Sequence, residues 1–321
     1  MRMHLSAAGA KPATRIVATL LLAFWLVACD TSPDQGSPPA ASQAPGFPVT
    51  IAEASGASVT IKAQPRRIVS LSPTATEMLF AIGAGTQVVA VDDQSNYPAN
   101  APMTKLSGFQ PNLEAIAAYQ PDLVVAAEDT GSLVHGLSDL SVPALIEPAA
   151  KNLDDTYAQI KQLGQATGHV SRAQSLVTQM KTKITQALAQ VAPLNPPLRV
   201  YHELDDTYYS VTSSTFIGQI YKLMGLFNIA DNAKGAAADY PQLSSEYIVS
   251  SDPNLIVLAD TKCCHQDRQT VAARPGWSGI SAVRSGLVIG VDDDIASRWG
   301  PRIVDFILVI ALRLKQVEAS M

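Results

Sequence analysis

With 321 residues and 47 % hydrophobic content, the chain is long enough for two domains or one large one, and it can bury a substantial core. A formal charge of −5 argues against nucleic acid as a partner, and three cysteines exclude a framework of several disulfides, so burial must carry the stability. There is no glycine-rich phosphate loop, HExxH pair, nucleophile elbow or credibly spaced pair of catalytic carboxylates, which leaves no residue set for a reaction and points away from an enzyme.

At the start of the chain, Arg2, Lys11 and Arg15 precede 13 largely apolar residues, 16–28. That run is shorter than the ~20 residues an ordinary membrane span needs. Leu26-Val27-Ala28-Cys29 has the form of a bacterial lipoprotein cleavage box, so residues 1–28 are predicted to be a lipoprotein signal peptide. Cleavage exposes Cys29 as a lipid anchor, holds the mature chain outside the cytoplasmic membrane, and carries the charge from −5 to −8 by removing three basic residues and no acid. Residues 29–48 are rich in Pro, Ser, Gln and Ala and read as a flexible tether.

An N-terminal α/β lobe is predicted over 49–168. It opens with an edge strand or hairpin at 49–61 and a buried strand at Ile68-Val69-Ser70-Leu71. A helix follows, started by Ser72 with Pro73 at its first position or by a Thr74/Glu77 capping box, and Glu77 reads as mainly structural. A second strand covers 88–91, and residues 92–110 lack a period and read as an irregular connection. Such connections, leaving the carboxyl end of a strand, are where open α/β sheets place ligand contacts. Helix and strand pairs are then expected at 114–126 and 133–146, and long helices at 152–166 and 171–192. The latter lies in a connecting helix assigned to 169–193, ahead of a C-terminal α/β lobe over 194–321 that closes with a helix from Pro301.

An internal echo ties the lobes together. Residues 114–127, EAIAAYQPDLVVAA, return 132 residues later as EYIVSSDPNLIVLA at 246–259, each a short helix opened by Glu, a Pro turn and a buried strand. The fold class is therefore α/β: two Rossmann-like lobes joined by a long rigid helix, with a ligand cleft between them. Loop aromatics suited to stacking on a planar or partly apolar ligand are Tyr97, Phe109, Tyr208, Tyr209, Tyr240, Trp277 and Trp299. For Cys263-Cys264-His265, three states stay open: a vicinal disulfide, reduced thiols, and a metal or ligand contact. No resident metal site or cofactor is assigned.

These motifs, RRIVSLSPTATEMLFAIGAG, SNYP, NLEAIAAYQPDLVV, SSEYIVSSDPNLIVL and GPRIV, span about residues 66–314. In order and content they resemble the substrate-binding proteins of bacterial ABC importers for vitamin B12, haem and iron siderophores, most nearly the vitamin B12-binding branch. The resemblance implies limited hinge movement, a monomer, and delivery of a cobalt- or iron-containing ligand to a permease dimer with its cytoplasmic ATPase. It assigns Glu114 and Glu246 to permease docking. Cleft tryptophans of the B12-binding branch fall at Phe109 and Tyr240, its cleft tyrosine at Gln94, and another cleft tryptophan at Ala127. An acidic and a basic cleft residue match Asp294 and Arg298, and a helix-linking cysteine pair falls at Met224 and Ala311, so that disulfide is absent. The expected function is capture of a corrinoid or iron complex by a lipid-anchored protein. Alternatives are haem or ferric siderophore as the ligand, or an extracytoplasmic sensor or metal-storage lipoprotein.

Overall fold

A computed structural model describes residues 46–191, 195–233 and 238–318. The expected signal peptide, Cys29 and most of the expected tether lie outside the described residues. Phe47, near the end of that stretch, is only 8 % exposed and joins the core. The described residues belong to one compact unit.

β1 (Val49–Ala52) and β2 (Ser58–Ile61) form an antiparallel hairpin. The first lobe then runs β3 (Ile68–Leu71), α1 (Pro73–Ala81), β4 (Val88–Asp92), β5 (Met103–Leu106), α2 (Leu113–Ala117), β6 (Leu123–Ala126), α3 (Leu133–Asp139) and β7 (Ala144–Ile146). Its five strands are parallel in the order β5-β4-β3-β6-β7. Ser72 caps α1 by accepting from the Ala75 amide, with Pro73 at the first position, which decides between the two expected starts. β5 corrects the expectation of an irregular 92–110, because Met103 and Leu106 pair with β4 and make β5 the edge strand of the sheet.

Next come α4 (Leu153–Thr167) and α5 (Val170–Leu188), separated by Gly168 at φ 77°. α5 lies in sequence between the two sheets and packs against α4 and the final helix. The second lobe runs β8 (Arg199–Glu203), α6 (Phe216–Leu223), β9 (Phe227–Asn228), α7 (Ser245–Ser251), β10 (Leu255–Leu258), α8 (Arg268–Ala272), α9 (Ser281–Ser285), β11 (Val288–Gly290), α10 (Asp293–Ser297) and α11 (Ile303–Glu318). Its parallel sheet has the order β11-β10-β8-β9. The short helices α8 and α10 are each started by an aspartate side chain, Asp267 and Asp292.

The echo is a register match. Ile68 pairs with Leu123 in the first sheet and Val200 with Leu255 in the second, both pairs offset by the same 132 residues. Alternating strand residues face different layers, as period-two side chains must. One apolar cluster runs from Ile68, Val125 and Leu145 through α1, α4, α5, α6 and α11 to Val200, Val257 and Ile289, so the lobes share a core. Met224 and Ala311 are buried in it, filling with apolar packing the positions where the resemblance puts a cysteine pair. Separate clusters cover the opposite sheet faces, Val69 and Val124 in one lobe and Tyr201 and Ile256 in the other.

Candidate functional site

The loops that leave the carboxyl ends of the strands carry most of the residues singled out from sequence. Four exposed aromatics sit there, two per lobe: Tyr97 and Phe109 after β4 and β5, and Tyr209 and Tyr240 in the second lobe. Phe109, at 78 %, is the most exposed large hydrophobic residue among those described. Its loop is held against the end of β3 by Gly108, where a Cβ would stand 2.4 Å from the Leu71 carbonyl oxygen. Tyr97 lies under the Arg302 guanidinium, 4.2 Å from its ring centre. Tyr209 pairs antiparallel with Gln242, and the Ser210 amide donates to Pro241 O, which brings the Tyr209 and Tyr240 segments side by side.

Behind this rim lies an ionic hub that joins the first lobe to α10 and α11. Arg298 Nη1 donates to Glu77 Oε1 (2.9 Å) and Asn96 Oδ1 (3.0 Å), and its Nη2 donates to Gln94 O (2.9 Å) and Asp294 Oδ1 (2.8 Å). Arg302 adds bonds of 3.0 and 2.5 Å to the two Glu77 oxygens. Asp294 also accepts from Asn96 (3.0 Å) and Lys262 (2.9 Å), and Lys262 reaches Asp292 at 2.7 Å. Partial burial works against the charged form of Asp294, yet the Lys262 and Asn96 bonds and the Arg298 charge hold its carboxyl below the ordinary value. Arg298 is buried with both terminal nitrogens engaged by protein acceptors, and Gln94 enters the hub through its carbonyl while its side chain is exposed. Trp299 is anchored to α4, its Nε1 donating to Gln159 (2.9 Å) and its carbonyl accepting from Thr156 (3.0 Å).

Tyr208 is placed differently from Tyr209. Its ring centre is 5.6 Å from that of Trp277, and the Arg274 guanidinium lies 4.6 Å from the Trp277 ring and 5.3 Å from Tyr208. Arg274 in turn donates to both Glu203 oxygens at 2.6 Å. Trp277 is fully buried and donates to Ser245 in α7, so it and Tyr208 pack the second lobe's own outer core.

Cys263 and Cys264 are both free thiols, in contrast to a vicinal disulfide. Their turn is shaped instead by Asp293, which accepts from the Thr261 hydroxyl and the Lys262 and Cys263 amides at 2.9–3.1 Å. Burial and the adjoining Cys264 thiol push Cys263 up to about 12. Among the described residues, no group of three or more His, Cys, Asp or Glu is placed to hold a metal ion.

Glu114 and Glu246 are exposed in the first turns of α2 and α7. Each follows an N-cap that receives the third amide onward, Asn112 from Ala115 (2.9 Å) and Ser244 from Tyr247 (3.1 Å). An acid there also suits the helix dipole. Sequence reasoning missed Arg302, Lys262 and Asn96 as hub members, although Asn96 lies within the SNYP motif and Arg302 within GPRIV.

Residues 68–295 match the family described as periplasmic binding protein. An uncharacterized ABC transporter substrate-binding lipoprotein of Bacillus subtilis (strain 168) is 33 % identical over 300 residues, covering 90 % of this chain and 92 % of the relative. A cobalamin-binding protein of Halobacterium salinarum (strain ATCC 29341 / DSM 671 / R1) is 30 % identical over 310 residues, covering 91 % and 81 %. The crystal structure of a periplasmic heme-binding protein of Vibrio cholerae superposes with a TM-score of 0.69 at 20 % identity, covering 77 % of this chain and 98 % of its own.

Proposed function

Since the chain belongs to the periplasmic binding protein family, we propose that it captures a corrinoid outside the cytoplasmic membrane and hands it to an ABC permease. It is a solute-binding protein of an importer and not an enzyme. The observation that carries the corrinoid reading is the pairing of exposed aromatics with a scarcity of uncommitted positive charge. Tyr97, Phe109, Tyr209 and Tyr240 offer apolar faces to a macrocycle. Among the described residues, the Lys and Arg of the loops leaving the strand ends between β4 and α11 are Lys151, Lys262, Arg274, Arg298 and Arg302, and the last four are ion-paired. A polyanionic siderophore or the propionates of haem would call for convergent free cations. An amide-bearing corrinoid does not. The cobalamin-binding relative supports the same choice.

In this reading Gln94, Tyr97, Phe109, Tyr209 and Tyr240 touch the ligand, whereas Asp294, Arg298, Trp299 and Tyr208 hold the loops that present them. Glu114 and Glu246 meet the permease dimer, whose cytoplasmic ATPase drives import. Cys29 carries the lipid anchor, in keeping with the lipoprotein relative, and the protein acts as a monomer. The test is titration of the purified protein with cyanocobalamin, haem and ferric siderophores, followed by absorbance and by calorimetric heat. Saturable one-to-one binding of cyanocobalamin is expected. Saturation by haem or a siderophore, with none by cyanocobalamin, would overturn the ligand assignment.

A further inference from the structure

Glu203 ends β8 and Asp260 follows β10, and these parallel strands pair Glu203 with Leu258. Both carboxyls therefore leave the sheet at the same edge, and both residues are 0 % exposed. Glu203 is ion-paired, each oxygen taking an Arg274 nitrogen at 2.6 Å and keeping a lone pair free to accept another bond. Asp260 has no partner on either side-chain oxygen, and neither does the Tyr201 hydroxyl nearby. One guanidinium neutralises one carboxylate, and a second ionised carboxylate in the same dry space would be repelled and unsolvated.

The geometry points to a proton held between Asp260 and Glu203 as the lock that closes the 261–266 turn over the second lobe. Protonated, Asp260 donates its O–H to Glu203 and leaves the Glu203–Arg274 ion pair intact. The turn depends on this corner directly: the Cys264 and Gln266 amides donate to the main-chain carbonyl of Asp260 at 3.2 and 3.3 Å, and Gln266 Oε1 accepts from Arg274 at 2.7 Å. It also carries Lys262, whose bond to Asp294 meets Asn96 of the first lobe. The titratable and charged groups facing the pair are Tyr201 from β8, Arg274 beyond α8 and Cys263 from the turn, with Asp293 behind Cys263. Loss of the proton sets two carboxylates against one cation and releases the turn. Burial and the Glu203 charge push Asp260 up to about 8, which puts that release on the alkaline side.

The test needs no ligand, so its outcome is separable from that of the corrinoid reading. Infrared difference spectra of the purified protein between pH about 6 and about 9.5 read protonated carboxyls directly. They are recorded in a Glu147→Gln background, because burial also pushes Glu147 up to about 8. A carboxylic carbonyl band that disappears with alkali, and is missing from Asp260→Asn, is expected. In the wild type, amide exchange protection at Cys264 and Gln266 should fall roughly tenfold per pH unit between about 5 and about 8, beyond the intrinsic rate, and level off above that, and Asp260→Asn should abolish that slope. Should Asp260→Asn fail to fold, the wild-type exchange profile decides alone. An alkali-sensitive band undiminished by Asp260→Asn, or protection that is flat across this range, would overturn the proposal.

Discussion

In both lobes, two central strands meet in one register, 132 residues apart, and a short capped helix precedes the second strand with a glutamate in its first turn. Beyond that shared frame the strand ends diverge. In the first lobe the positions matching Glu203 and Asp260 are Leu71, in the core, and Glu128, exposed. The second lobe buries both acids and supplies Arg274 to hold one of them. The glutamate-bearing helix starts are thus alike in the two lobes, while the strand ends differ. Under the proposed function a repeated frame suits both tasks, because docking on a permease dimer calls for symmetry about the cleft and a single ligand does not.

Removing a hub cation or acid should give the largest effects. Glu77→Ala removes the carboxylate partner of the half-buried Arg302 and one of the two that hold the buried Arg298, and Arg274→Ala strands Glu203, so each should cost about 3–5 kcal/mol in urea unfolding. Only Glu77→Ala breaks bonds between the first lobe and α10–α11, so it should also loosen the lobes in hydrogen exchange. Equal loosening by both variants would erase the distinction between a hub joining the lobes and one internal to the second.

A smaller effect, of a few kcal/mol, concerns His202, another group with no counterpart in the first lobe, where Ser70 stands. Its Nδ1 lies 2.6 Å from the Tyr221 hydroxyl, its Nε2 has no partner, and burial lowers it from 6.5 to about 3. A depressed value means the fold favours the neutral ring. The stability it lends is complete above about 6.5 and is lost as pH falls toward about 3. Thermal unfolding of the wild type should therefore lose ground to His202→Gln over that window. The raised acids Glu147 and Asp260 act with the opposite sign, their contribution being lost as pH rises through about 8.

The aromatics sharpen the contrast within one lobe. Tyr209→Ala and Tyr240→Ala should weaken ligand binding by roughly 1–2 kcal/mol each in calorimetry with little change in stability, as should Phe109→Ala across the cleft. Tyr208→Ala should do the reverse, lowering the unfolding midpoint through the Trp277 and Arg274 stack. The smallest effects belong to the caps. Asn112→Ala and Ser244→Ala should each cost about 1 kcal/mol, and markedly unequal losses would weaken the equivalence of α2 and α7.

Much of this frame was legible in the sequence because it is periodic. The echo, the β-branched strands and the Ser72-Pro73 helix start carry their structure locally. β5 was missed because Met103-Thr104-Lys105-Leu106 is a short edge strand with one buried residue, stabilised by pairing and not by its own pattern. β9, at two residues, is shorter still. The roles within the site were less legible. The resemblance implies Asp294 and Arg298 as an acidic and a basic cleft residue, but their engagement with Glu77, Asn96 and Lys262 depends on chain segments up to 221 residues apart. Tyr208 and Tyr209 are adjacent in sequence and face different neighbours, because Tyr208 takes a left-handed backbone at φ 69° that no local pattern announces.

The most direct test of the equivalence claimed for the two lobes is charge reversal at Glu114 and Glu246, with association to the cognate permease measured in reconstituted membranes. Glu114→Lys and Glu246→Lys should each weaken association by a similar factor, and the double variant should abolish it, while ligand titration stays unchanged. Undiminished association of the double variant would contradict the account.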